Sequence, residues 1–184
     1  NFYSVLKTRE FSSPVPFRTL VHGGIMHGGQ LLDPGMRLQP STYFGPNTGY
    51  GRMFAGLPAE PRKVGVIGLG AGAIAAYARE GDTFRFYEIN PLVTQLADSD
   101  RGYFSYLEDA RKRGASVEVV HGDARTVLEQ QLEHEGPAQY DVLVMDAFNS
   151  DAIPVHLLTQ EALDRYQQHL APDGLLVIHI SNAF

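Results

Sequence analysis

Three acidic residues in this sequence stand where a carboxylate could do chemistry. Asp146 ends the apolar run Val142-Leu143-Val144-Met145, and an acid at such a point has to be paired, hydrated or used. Glu88 closes the run Thr83-Phe84-Arg85-Phe86-Tyr87, where a carboxylate can accept two hydrogen bonds from the hydroxyls of a ribose. Asp123 follows an apolar stretch and Gly122, so it reads equally as a helix cap and as a ligand contact. Upstream lies Gly68-Leu69-Gly70-Ala71-Gly72-Ala73, whose missing side chains let a ligand approach the backbone. Gly68, Gly70 and Ala73 also fit the dinucleotide pattern G-x-G-x-x-A, and the plain alternative is a close helix–strand contact. The glycine string and Glu88 together point to a nucleoside.

The elements that must position these residues follow from periodicity and punctuation. Residues 1–59 are rich in Gly, Pro, Ser and Thr, and short apolar runs at 2–6, 18–22 and 25–32 predict antiparallel strands, with Gly23-Gly24 as a hairpin turn. After the break at residues 57–61 the pattern changes to alternating strands and helices. Strands are predicted at 64–69, 83–88, 116–121, 140–145 and 175–180. Helices are predicted at 71–79, 91–97, 103–113, 124–133 and 159–169, with Pro91 at a first turn and Gly114 as a C-terminal stop. Right-handed crossovers turn this order into a doubly wound parallel α/β sheet, a Rossmann-like domain over residues 60–184 beside a small N-terminal β domain over 1–59. In such a sheet ligands bind beyond the carboxyl ends of the strands. Gly68, Gly70, Gly72, Glu88, Asp123 and Asp146 all fall there, as do Asn149, Ser150 and Asp151.

Composition removes several rivals. With 184 residues, 15 Lys+Arg against 21 Asp+Glu and a net charge of −6, no basic surface argues for a nucleic-acid or anionic-lipid partner. The absence of cysteine excludes disulfides, thiolate metal sites and a thiol nucleophile, and fits a reducing compartment. Neither a nucleophile elbow nor a phosphate loop is present. His22 and His27 lack the helical i, i+4 spacing of a zinc pair, so no metal is expected. His156, His169 and His179 read as hydrogen-bonded structural residues. The longest uncharged stretch, residues 64–78, is too short and too glycine-rich to span a membrane. The chain opens at Asn1 with neither methionine nor leader, which reads as a piece of a longer polypeptide.

The segments Val64-Gly-Val-Ile-Gly-Leu-Gly-Ala-Gly72, Phe86-Tyr-Glu-Ile-Asn-Pro91, Val120-His-Gly-Asp-Ala124 and Tyr140-Asp-Val-Leu-Val-Met-Asp-Ala-Phe-Asn-Ser-Asp151 resemble the class I S-adenosylmethionine-dependent transferases. More narrowly they resemble the spermidine synthase family of polyamine aminopropyltransferases. The runs 152–159 and 179–182 and the N-terminal Leu20-Val-His-Gly-Gly-Ile-Met-His-Gly28 continue the likeness, whose wording is nearest to spermidine synthase-like domains fused to a membrane transporter segment.

The resemblance implies aminopropyl transfer from decarboxylated S-adenosylmethionine to a di- or polyamine, in a cytoplasmic homodimer. It assigns Glu88 to the ribose, Asp123 with the Ala124 backbone to the adenine, Asp146 as the base, and Tyr43 and Asp151 to the amine channel. Where the family usually carries an acid that binds the aminopropyl end, this chain has Ala71, which implies weak discrimination between decarboxylated and intact S-adenosylmethionine. A methyltransferase using S-adenosylmethionine is the runner-up. Behind it stand a non-catalytic nucleoside-binding domain of a transporter fusion and, on the glycine string and Glu88 alone, a nicotinamide-dependent oxidoreductase.

Overall fold

A computed structural model describes residues 5–98, 102–148 and 152–180. Its first elements are three strands, β1 (Leu6–Phe11), β2 (Phe17–His22) and β3 (Ile25–Leu31), paired antiparallel in that order. Gly23 makes the β2–β3 turn with φ +61°, a conformation that carries little penalty only without a Cβ. β1 begins where the expected strand at 2–6 ends, and residues 1–4 lie outside the described part. As a mostly exposed edge strand it accommodates Lys7, Arg9 and Glu10 without burying charge, so an apolar pattern does not reveal it.

Glycines also conceal α1 (Gly49–Gly56), which follows the 3-10 turn Thr42–Phe44. Its low propensity is offset by a Thr48 cap on the Gly51 N–H and by burial of Tyr50 and Phe54. The Phe54 ring stacks on Tyr77 at 4.5 Å between centroids.

The second sheet is the expected one. β4 (Lys63–Ile67), β5 (Thr83–Glu88), β6 (Ser116–His121), β7 (Tyr140–Met145) and β8 (Leu170–Ile178) pair in parallel in the order β6-β5-β4-β7-β8. Alternate residues of the central strands enter two different cores. Val64, Val66, Phe84, Phe86, Val142 and Val144 pack with residues of α1, α2 (Pro91–Ala97) and α3 (Tyr106–Lys112). Ile67, Tyr87, Leu143 and Met145 pack on the other side with α4 (Ala124–His134) and α5 (Gln160–Gln168). Both faces are therefore covered, and the strands read as continuous apolar runs.

Two further elements depart from expectation. In place of a helix at 71–79 the chain makes a short 3-10 segment, Ala73–Tyr77, after Gly72 in the left-handed region. Arg113 donates to the carbonyls of Ala75, Ala76 and Ala78, and Arg62 donates to that of Tyr77. These side chains satisfy oxygens that a longer helix would have used. The last strand starts at Leu170 rather than 175, carrying Pro172-Asp173-Gly174 as a register irregularity opposite Tyr140/Val142.

Between the starts of β4 and β5, Arg62 and Asp82 form an ion pair with side chains 3% and 1% exposed. Asp82 also accepts the backbone N–H groups of Arg62 and Arg79.

Strand order reverses between β4 and β7, since β5 and β6 extend the sheet one way and β8 the other. The carboxyl ends of β4 and β7 therefore flank a crevice that neither strand fills.

Candidate active site

The glycine loop is shaped by what presses on it. A Cβ on Gly68 would stand 2.6 Å from the Asp146 carbonyl oxygen, and one on Gly70 would stand 2.5 Å from the His27 carbonyl oxygen. The Ala71 N–H donates to that same His27 oxygen at 3.2 Å, so β3 is tied directly to the loop. Gly72 serves packing instead, because its Cβ would collide with the Leu107 side chain.

Glu88, at the end of β5, is 7% exposed, and its two oxygens accept the N–H groups of Leu69 (3.0 Å) and Asn90 (2.7 Å). Burial raises its pKa, against the pull of those two N–H groups. Asn90 in turn caps α2 through the Leu92 N–H. Asp123 does cap α4, with one oxygen on the Thr126 N–H at 3.1 Å, while its other oxygen meets His156 Nε2 at 2.8 Å. Burial acts to raise the Asp123 pKa, but His156 and the Thr126 N–H hold it below the usual carboxylate range.

Asp146 is nearly as enclosed as Glu88. Its backbone N–H donates to Ile67 and its side chain is 10% exposed. His179 Nδ1 lies 2.5 Å from Oδ1, the Tyr43 hydroxyl 3.3 Å from Oδ2 and the Tyr50 hydroxyl 3.5 Å from Oδ1. Burial raises the Asp146 pKa, and His179, Tyr43 and Tyr50 oppose that rise. Burial and the neighbouring Asp146 charge raise both tyrosine pKa values, so the phenols stay protonated and donate.

One cavity of about 690 Å³ is lined by Gly68, Gly70, Glu88, Asp123, Ala124 and Asp146, within the ~300–1,000 Å³ typical of small-molecule sites. Tyr43 reaches it through Asp146. Asp151 lies outside the described residues, together with Asn149, Ser150 and residues 181–182. The lining also includes His22, His27 and His156, which the sequence reading had set aside. The rings of His22 and His27 stand 5.3 Å apart, and burial, then His22, lowers the His27 pKa to about 4, so that imidazole is neutral. His156, His169 and His179 are all hydrogen-bonded, as expected: His156 to Asp123, His179 to Asp146, and His169 between the Ala138 N–H and the Leu128 carbonyl. Among the described residues no group of three or more His, Cys, Asp or Glu could hold a metal.

Ala71 is not a wall of this cavity. It is 1% exposed, and a Cβ on Gly28 of β3 would lie 3.1 Å from its own Cβ. Its side chain therefore lacks the direct contact with the cavity that the expectation about donor choice assumes. Ala71→Asp should bury a carboxylate against β3 and cost at least about 1–3 kcal/mol of stability, read as a lower thermal midpoint, without changing relative donor affinities.

No family model matches the sequence. The chain is similar to a polyamine aminopropyltransferase of Vibrio vulnificus, 33% identical over 122 residues that cover 64% of this chain and 37% of that protein. It is also similar to an N-terminal histidine N-methyltransferase of Emericella nidulans, 30% identical over 115 residues, covering 62% and 19%. The chain thus spans well under half the length of either relative. Among solved structures, a probable spermidine synthase from Corynebacterium glutamicum superposes with a TM-score of 0.69 at 22% identity, covering 96% of this chain and 60% of that one. Spermidine synthase from Thermotoga maritima does so with 0.56 at 19%, covering 95% and 53%.

The narrower resemblance to transporter-fused domains is corrected. Among the described residues no helix is long and apolar enough to cross a membrane, and the proteins found are transferases and spermidine synthases. What these comparisons establish is architecture: a parallel Rossmann-like α/β sheet with a small antiparallel sheet before it, the fold of the spermidine synthases.

Proposed function

We propose that this chain forms the nucleoside-binding and catalytic part of an aminopropyltransferase that acts on decarboxylated S-adenosylmethionine and a di- or polyamine. The observation that carries this reading is Asp146, a buried carboxylate that opens onto the same cavity as Glu88 and Asp123.

The residues present suit the nucleoside. Each Glu88 oxygen holds one backbone N–H and retains a lone pair for a ribose hydroxyl. In this reading Asp123 and the Ala124 N–H, which line the cavity, take the adenine, with His156 competing for one Asp123 oxygen. When bound, the donor supplies a sulfonium-activated carbon and a neutral thioether leaving group. Asp146 supplies the base: it takes a proton from the acceptor amine as nitrogen attacks, and its raised pKa suits proton transfer better than an ordinary carboxylate would. The Tyr43 hydroxyl stands 3.3 Å from one of its oxygens, and in this reading the crevice holds both reactants in line. We take residues 1–59 as the cover of this site and 60–184 as its floor, in a cytoplasmic homodimer.

A methyltransferase remains the second reading. It is favoured because the glycine loop brings no acid to the cavity. Incubation with each donor and a panel of amines decides between the two. Methylthioadenosine as product supports aminopropyl transfer, S-adenosylhomocysteine supports methyl transfer, and neither product refutes both. Glu88→Ala should weaken nucleoside binding by roughly 1.5–3 kcal/mol, since it removes charge-assisted bonds to the ribose and loosens the Leu69 and Asn90 N–H groups. Unchanged calorimetric affinity for methylthioadenosine and S-adenosylhomocysteine would remove the ribose assignment.

A further inference from the structure

His179 belongs to none of the roles assigned so far. The β7–β8 register ends at Met145↔Ile178, and the His179 N–H donates to the Met145 carbonyl at 3.0 Å, so His179 emerges beside Asp146 at the switch point. Its ring is held by aromatic neighbours on several sides. Tyr43 lies 4.5 Å away between centroids, Phe148 meets it edge-on at 5.0 Å and Tyr50 edge-on at 5.8 Å. Turning the imidazole would mean displacing those rings.

We propose that His179 is a positioning residue for the transfer: its Nδ1–H fixes Asp146 by Oδ1 and leaves Oδ2, beside Tyr43, to take the proton of the acceptor amine. The inference rests on the reading of Asp146 as the base. An ionised carboxylate only accepts, so at the 2.5 Å contact it is the imidazole that donates. The other two donors are weak by comparison, because phenol contacts at 3.3 and 3.5 Å lie beyond the usual range of O–H···O bonds. Without His179 a nearly buried carboxylate would keep, among the described residues, those two donors alone. Among the described residues, the titratable groups facing Asp146 are His179 after β8, Tyr43 from the 3-10 turn and Tyr50 from α1, while the glycine loop packed on its carbonyl brings none.

Burial already pushes the Asp146 pKa up, and the imidazole is the strongest force against it. Its loss would leave Asp146 protonated up to a higher pH, unable to act as a base there. In the step itself the C–N bond forms, the C–S bond breaks with its electron pair left on sulfur, and the amine proton passes to Asp146 Oδ2. His179 keeps its Nδ1–H throughout.

The test uses the full chain labelled with ¹³Cγ-aspartate, with the Asp146 signal assigned by its loss in Asp146→Asn. His179→Phe keeps an aromatic ring but removes the donor. The Asp146 titration midpoint should rise by about one pH unit or more, and the acid limb of kcat/KM should move with it, so that turnover falls about tenfold per unit below the limb and recovers at alkaline pH. His179→Asn, which places an amide N–H near the Nδ1 position, should return most of the shift. If the Phe variant fails to fold, His179→Ala gives the same comparison. An unmoved midpoint, or a rate lowered equally at all pH values, overturns the proposal. A shifted midpoint in a protein that turns over no donor and amine supports the His179–Asp146 coupling and refutes the transferase reading instead.

Discussion

Asp146→Asn is expected to lower turnover by about 10²–10⁴ while leaving nucleoside affinity nearly unchanged. The substitution preserves shape and keeps an oxygen for the Tyr43 hydroxyl, but an amide cannot take the amine proton. The proposed ribose and adenine contacts lie on β5 and at the start of α4, so binding has no reason to follow the rate. The wild-type pH profile carries the same signature. The base must be ionised, and its pKa is raised by burial, so kcat/KM should climb with pH through a value above the ordinary carboxylate range. Calorimetry with methylthioadenosine, beside single-turnover rates, separates the two quantities. An Asn variant with wild-type turnover in a chemistry-limited assay would place the base elsewhere.

Asp82→Ala is expected to destabilise the fold by about 3–5 kcal/mol, read as a lower urea midpoint. The variant strands the Arg62 guanidinium, only 3% exposed, without a counter-charge, and it releases the Arg62 and Arg79 N–H groups that Asp82 holds. The exposed pair Arg85–Glu118 is the control, since Glu118→Ala should cost no more than about 1 kcal/mol. Burial acts to raise the Asp82 pKa, but the Arg62 and Arg79 contacts hold it below its usual value. Its stabilising contribution is therefore present above the unfolded carboxylate pKa and is lost as pH falls through the lower folded value. A loss of less than about 1 kcal/mol would show that the pair is hydrated or dispensable.

Both residues were within reach of sequence reasoning to different degrees. Asp146 stands out because it ends an apolar strand, and that pattern is local. Asp82 precedes a strand in a Gly-Asp turn, where an exposed acid is the default reading, and only its pairing with Arg62 across the start of the sheet reveals its burial. The elements divide in the same way. Strands with two buried faces, α2 with its Pro91 and α5 with its Thr159 cap were legible, whereas β1, the glycine-rich α1 and the 3-10 segment were not. Their formation depends on an edge position, on tertiary burial of Tyr50 and Phe54, and on arginine donors from other elements.

Taken alone, the order of residues determined that strands and helices alternate after residue 62, that a glycine loop follows β4, and that β5 and β7 end in carboxylates flanking Asp123 at a helix start. These features follow from periodicity, caps and turns, which act over a few residues. Tertiary structure decided which side chains those carboxylates meet. Strand order puts β8 beside β7, so His179, 33 residues beyond Asp146, becomes its hydrogen-bond partner, and the N-terminal segment closes over the crevice so that Tyr43, 103 residues before it, reaches the other oxygen. The same closure turns Ala71 toward β3 and brings His22 and His27 to the cavity. Contacts across such distances depend on how the sheets assemble, and no local pattern encodes that assembly.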